Sequence, residues 1–198
     1  MWRGDARVEL RIDPKQIREL SRAIEGTTRK LQNEIKIAVN ATAGKTKTAM
    51  SRRVRAELAA PAKSVNATLS VKKAKTPRDN ARVTLKKEAR LPLKAFKPNQ
   101  TKKGVSYRIS KSQGRKTIAG AFMGPRPGTK APGLHGHVWK REDKSRLPIR
   151  KLYGVSPWGV FIKRAMKQPT KNEGRLELKK QIARRIRFIT LKKRGAIK

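Results

Sequence analysis

Residues 6–14 read ARVELRIDP, and this stretch decides the fold class. Ala6, Val8, Leu10 and Ile12 alternate with Arg7, Glu9 and Arg11, the period of a half-buried strand. Asp13 and Pro14 then mark a helix start, with Asp as N-cap and Pro at the first helical position. Beyond it Ile17, Leu20, Ile24, Leu31, Ile35 and Val39 recur at three, four or seven residues, one amphipathic stripe. The stripe continues through Ala43, Ala49 or Met50, Val54 and Leu58, which predicts one long helix over about 14–58. Ala41-Thr42-Ala43-Gly44 is small enough for close packing and for a kink near Gly44. The stripe reads as core, or, where so long a helix outruns a small core, as a contact with another subunit. Ile17, Leu20, Ile24, Leu31, Ile35 and Val39 are its candidate subunit-contact residues.

Ala60-Pro61 ends the helix, and Ser64 to Leu69 can add a short helical turn. Leu69–Ala74 and Ala81–Lys87 read as strands around a Pro77-Arg78-Asp79-Asn80 turn. Leu91-Pro92-Leu93 reads as an edge or an irregular crossing, and Lys97–Gly104 as a basic loop. Val105–Ile109 alternates again, and Thr117–Met123 is its expected partner across a loop rich in Lys, Arg, Ser and Gly. A Pro/Gly-rich loop follows, then a strand at His137–Arg141, and Leu147–Tyr153 leads into a turn. Ser156-Pro157 opens a short helix, and after Pro169 a helix is expected from about Gly174 to Lys193, with Leu178, Ile182, Ile186 and Ile189 as its stripe. The fold class is α+β: a long N-terminal helix and C-terminal helices packed on a small antiparallel sheet, with extended basic loops. A single domain over 1–198 is expected. Its parts are a strand and long helix in 1–60, a β-rich basic region in 61–155 with the Pro/Gly loop 124–136, and basic helices in 156–198.

The chain carries 53 Lys and Arg against 13 Asp and Glu, a formal net charge of +40 on 198 residues. Residues 1–40 hold nine basic and six acidic residues, so nearly all the excess falls on 41–198. Charge of this size repels itself in a compact chain and calls for a polyanion or a dense assembly that supplies counter-charge. Nucleic acid meets that need, because each neutralised phosphate releases condensed counterions whatever the sequence. The candidate contacts with nucleic acid or an acidic partner are Lys111, Arg115, Lys116 and Arg126, together with Arg184, Arg185, Arg187, Lys192 and Lys193.

Catalytic signatures are missing from this pattern. There is no cysteine, hence no thiol nucleophile and no disulfide framework. His135 and His137 lack a third ligand, so neither a metal nor another cofactor is expected. Gly44-Lys45-Thr46 ends like a phosphate loop, but Val39 stands where the first glycine is needed. A nuclease would have to draw on Asp79, Glu88, Glu142 or Asp143, and no acidic metal cluster is legible. No enzyme activity is expected. Aromatic residues are 5% of the chain; Tyr107, Phe122 and Trp139 read as core or as stacking positions on one sheet. No apolar run reaches signal-peptide or membrane-span length, so no membrane contact is expected.

One ordered series of short motifs resembles a known family. Ile118-Ala119-Gly120-Ala121-Phe122 precedes a Gly/Pro-interrupted loop, then His137-Val138-Trp139-Lys140-Arg141, Leu147-Pro148-Ile149 and the helix-opening Pro157. Ala38-Val39-Asn40 stands in the long helix, with a short helix near Ala62–Leu69 after it. Over about residues 15–195 this series resembles the minor tail protein Z family of long-tailed bacteriophages. The Pro/Gly insertion at 124–136 and the strand before Asp13 depart from that pattern. The resemblance implies a virion protein at the head-proximal end of the tail, assembled in the host cytoplasm as a ring, expected to be hexameric. Its implied partners are itself, the tail terminator, tail tube and neck proteins, and double-stranded DNA held through non-specific phosphate contact. The rival expectation is a ribosomal or nucleoid-type protein that binds RNA or DNA without reading sequence. It explains the charge equally well and the near-neutral, apolar-striped N-terminal helix less well.

Overall fold

The computed structural model describes residues 6–10, 28–76, 79–124 and 134–193. Strand β1 (Ala6–Leu10) is followed by helix α1 (Thr28–Glu57) and a short helix α2 (Ala62–Ala67). Strands β2 (Leu69–Lys72) and β3 (Ala81–Leu85) lead to a 3-10 turn at Leu93–Phe96. Six short strands come next: β4 (Asn99–Thr101), β5 (Gly104–Tyr107), β6 (Lys116–Ala119), β7 (Ala121–Met123), β8 (Val138–Arg141) and β9 (Ile149–Lys151). Helices α3 (Pro157–Lys163) and α4 (Lys167–Lys193) complete the order. The class is α+β, with three separate three-stranded antiparallel sheets where a single small sheet is expected.

The chain gathers into two compact units, each assembled from separated segments. The expected linear division into 1–60, 61–155 and 156–198 does not follow them. Unit 1 comprises residues 51–68 and 86–164 with the first four residues, and unit 2 comprises 5–50, 69–85 and 165–198. Helix α1 gives its residues up to Met50 to unit 2 and the rest to unit 1.

In unit 2, β3 is the central strand of the order β1-β3-β2, with Val8 and Val71 both paired to Val83. Its alternation is as the pattern requires: Ala81, Val83 and Leu85 are buried while Arg82 and Thr84 are not. Strand β1 thus finds its hydrogen-bond partner inside the chain. Helix α1 runs through Gly44 without a break and buries Leu31, Ile35, Ala38, Val39, Ala43 and Met50. Asn40 clamps the chain leaving β2: its Nδ2 donates to the Ala74 carbonyl at 3.1 Å and its Oδ1 accepts from the Ala74 amide at 2.8 Å. The β2–β3 connection is tied by Asp79, whose carboxylate accepts the Thr76 amide at 2.8 Å and the Lys75 amide at 3.0 Å. Those amides, Thr76 first, hold its carboxyl below the ordinary value. Residues 14–27, where the long helix is expected to begin, lie outside the described residues, as do Pro77 and Arg78.

In unit 1, Phe96, Phe161, Leu93, Val105, Val138 and Val54 are buried and form the core. Lys97–Gly104 is a tight hairpin, not a loop: β4 pairs with β5, and Lys102 and Lys103 form the turn. Gly104 has φ +146° and faces the Ile118 carbonyl, which any Cβ would overlap. The expected strand 117–123 is broken at Gly120 (φ +68°), so β6 pairs with β5 while β7 pairs with β8. Ser156 stands at the N-cap of α3, but its hydroxyl makes no capping bond and donates instead to the Lys87 carbonyl at 2.9 Å. Helix α4, in unit 2, begins seven residues before the expected start. Pro169 lies in its first turn, where an amide would have no helical acceptor, so it does not interrupt the helix.

Candidate nucleic-acid interface

The expected contact cations fall into two groups, one in each unit. In unit 1 the hairpin β5–β6 carries Lys111, Arg115 and Lys116. Lys116 opens β6 opposite Tyr107 and is exposed, as is Lys111. Arg115 is committed to the fold. Its Nη2 donates to the Lys97 carbonyl at 2.8 Å and the Ser106 carbonyl at 3.0 Å, and its Nε to Ser106 Oγ at 3.2 Å. Arg108 does similar work on the loop, donating to the carbonyls of Ser110 at 3.3 Å, Gln113 at 3.1 Å and Lys111. A loop that turns without a regular ladder leaves carbonyls in need of donors, and a forked guanidinium supplies several at once. Arg126 lies outside the described residues.

In unit 2 the C-terminal basic face is on α4. Arg184 and Arg187 are exposed. Arg185 points the other way and pairs with Glu34 of α1 at 3.3 Å. A second cross-helix pair joins Lys45 of α1 to Glu177 of α4. The Lys45 hydrogen bond, then that from Gln181, holds the Glu177 carboxyl below its ordinary value. Lys192 and Lys193 close the helix, and their side chains lie outside the described residues. The exposed face also takes in Lys179 and Lys180, which the sequence reading missed. Their signal was available: Lys180, Arg184 and Arg187 stand at i, i+4 and i+7, one face of any helix.

The candidate subunit contacts are corrected where they are described. Leu31, Ile35 and Val39 are 2%, 3% and 1% exposed within the single chain, so they are core of unit 2 and offer nothing to a neighbour. Ile17, Leu20 and Ile24 lie outside the described residues.

Neutralisation inside the chain is limited by number. With 13 acids for 53 cations, the chain keeps its +40 however its acids are paired. Unit 1 is the more one-sided, with four acids, Glu57, Glu88, Glu142 and Asp143, against 26 Lys and Arg. Of the four residues a nuclease would need, Asp79 is spent on a turn in unit 2. Among the described residues no three His, Cys, Asp or Glu gather to hold a metal ion, and no helix is long and apolar enough to cross a membrane. Compared with protein-family models, with curated proteins and with solved structures, the chain matches none of them.

Proposed function

We propose that this chain is a structural protein that binds the phosphate backbone of double-stranded DNA without reading its sequence. We place it in a ring that closes the head-proximal end of a long-tailed phage tail. The carrying observation is an excess of cations, +40, borne by an α+β chain whose acids cannot offset it. Ordered cations near a conduit attract DNA without gripping any sequence, which suits a passage through which a genome moves. The place in the tail rests on the resemblance of Gly120-Ala121-Phe122, His137–Arg141 and Leu147-Pro148-Ile149 to the minor tail protein Z family.

Two experiments test the two halves. Duplex binding followed by fluorescence anisotropy should fall about a thousandfold between roughly 50 and 200 mM salt, the mark of about six phosphates neutralised. Affinity insensitive to salt removes the phosphate reading. An electron-microscopy reconstruction of the virion should locate the chain as a ring at the top of the tail. Density for it within ribosomal RNA, or in no virion, moves the assignment to a ribosomal or nucleoid-type binder.

A further inference from the structure

Two of the nine aromatic residues, Phe122 and Trp139, pair on one face of the β7-β8-β9 sheet in unit 1, and a third, Tyr153, follows two residues after β9. The register sets Phe122 and Lys151 on either side of Trp139, so the three share a face. Arg141, two residues beyond Trp139, brings its guanidinium to 5.7 Å from the centre of the Phe122 ring. Two residues beyond Lys151, the Tyr153 ring has the Lys151 ammonium 5.5 Å from its centre. On the opposite face Val138 and Ala121 are buried, beside half-buried Lys140 and exposed Arg150.

This face is open. Tyr153 is 54% exposed, and Phe122, Trp139 and Ile149 are only half-buried. The row continues at its far end with Leu147, 67% exposed. Apolar and aromatic side chains at alternate positions 147, 149, 153 and 155 would be core if a neighbour covered them. Here the residues between and beside them are Lys151 and Arg141.

The cations are held in place by neutral groups. Lys151 donates to His137 Nε2 at 3.1 Å, which fixes His137 as the neutral ring with its proton on Nδ1. Burial first, then Lys151, Lys94 and His135, push the His137 pKa below 6.5, in keeping with that assignment. Arg141 donates to the carbonyls of Arg146 at 2.9 Å and Ser145 at 3.3 Å. Neither Lys151 nor Arg141 has an ion-pair partner among the described residues.

We propose that this face is a stacking platform for single-stranded nucleic acid. Positive charge alone suits any polyanion, but rings need flat partners. A duplex hides its base faces in the stack and presents phosphates and groove edges, so an open ring gains nothing from it. A single strand offers both: bases to lie on Tyr153 and its neighbours, and phosphates for Lys151 and Arg141. The platform is a second activity beside the duplex contact proposed above, and it does not depend on that contact.

The test uses the full-length protein, a labelled oligothymidylate of about twenty nucleotides and a duplex of equal length, at about 0.2 M salt. Tyr153→Ala should weaken the single strand about tenfold and leave the duplex unchanged. Tyr153→Phe should keep the single-strand affinity, since the ring and not the hydroxyl is used. Unaltered duplex binding by Tyr153→Ala also reports that the variant is folded. An oligothymidylate affinity unchanged by Tyr153→Ala overturns the platform. So does an equal loss on single strand and duplex, which would make the residue a general support. Loss of binding only to an oligoglutamate peptide overturns it in favour of an acidic protein partner. In each of these cases the salt dependence on duplex still decides the phosphate reading separately.

Discussion

In unit 2, described cations meet carboxylates across a helix pair: Lys45 with Glu177, and Arg185 with Glu34. In unit 1 several meet neutral groups. Arg108, Arg115 and Arg141 fan onto backbone carbonyls, and Lys87, Arg141 and Lys151 lie over the rings of Trp158, Phe122 and Tyr153. Arg164 meets a carboxylate there too, Glu57 at 3.2 Å. The two solutions order side chains equally well but differ in what remains outside. A carboxylate cancels the charge it holds, whereas a carbonyl or ring fixes the cation and leaves its field intact. At Arg108, Arg115, Arg141 and Lys151 of unit 1, positive charge is therefore held in place without being cancelled.

The largest expected effect tests whether that order depends on the hairpin frame. Gly104→Ala puts a Cβ into the Ile118 carbonyl at a φ that L-residues avoid. It should cost about 3 kcal/mol, read from urea unfolding. A cost under about 1 kcal/mol would mean that the β5–β6 pairing yields easily and does not hold the cations.

Next come the clamps, which sharpen the contrast. Arg115 in unit 1 and Asn40 in unit 2 do the same work on backbone groups, one with a cation and one with a neutral amide. Arg115→Gln and Asn40→Ala should each cost about 2 kcal/mol, because each leaves part-buried backbone groups without a partner. Lys116→Gln, at an exposed side chain two strands from the Asn99–Thr101 edge, should leave stability unchanged. It should instead lower the slope of log affinity against log salt by about one on duplex DNA, if it touches a phosphate. If Arg115→Gln is neutral for stability, the guanidinium is a free cation and the contrast between units fails.

A smaller effect is expected from the cross-helix ion pair. Arg185 and Glu34 are partly exposed, so a double-mutant cycle with Arg185→Gln and Glu34→Gln should give a coupling of about 0.5 kcal/mol. Coupling above about 2 kcal/mol would make the pair a main support of unit 2, a role surface pairs rarely fill.

What could be read from the sequence followed from apolar periodicity. Strand β3 and the helix stripe through Leu31, Ile35, Val39 and Val54 were legible because burial on one face writes a period into the residues, and β1, β2 and β5 because apolar residues alternate in their sequence. Strand β4 was not, because Asn99-Gln100-Thr101 carries no apolar signal and is a strand through its pairing to β5. The break at Gly120 and the early start of α4 were hidden by residues with two meanings. Glycine fits a strand or its interruption, and Pro169 fits a helix break or a first turn. The site was less legible than the fold. Composition announces a polycation but does not say which cations are spent. Arg115 and Lys116 are neighbours in sequence, and the carbonyls that claim Arg115 belong to Lys97 and Ser106, brought there by folding.

The contrast also sets an order of events on acidification. His137 lies in unit 1, and burial with Lys151, Lys94 and His135 depresses its pKa below 6.5. The unfolded chain then binds a proton that the folded chain resists, so stability is full above 6.5 and falls as pH drops toward the folded value. Glu177 and Asp79 lie in unit 2, with pKa values depressed below 4.5 and 3.8 by their hydrogen bonds. Their stability is present above those values and is lost only as pH falls through the still lower folded ones. Hydrogen exchange followed from neutral pH downward should therefore show protection declining first among unit 1 amides, and later among those of unit 2. His137→Gln should flatten the first decline and leave the second in place, because glutamine keeps an acceptor for Lys151 and does not titrate. Protection lost first in unit 2 would mean that the carboxylate pairs, not the imidazole, are the weak point in acid.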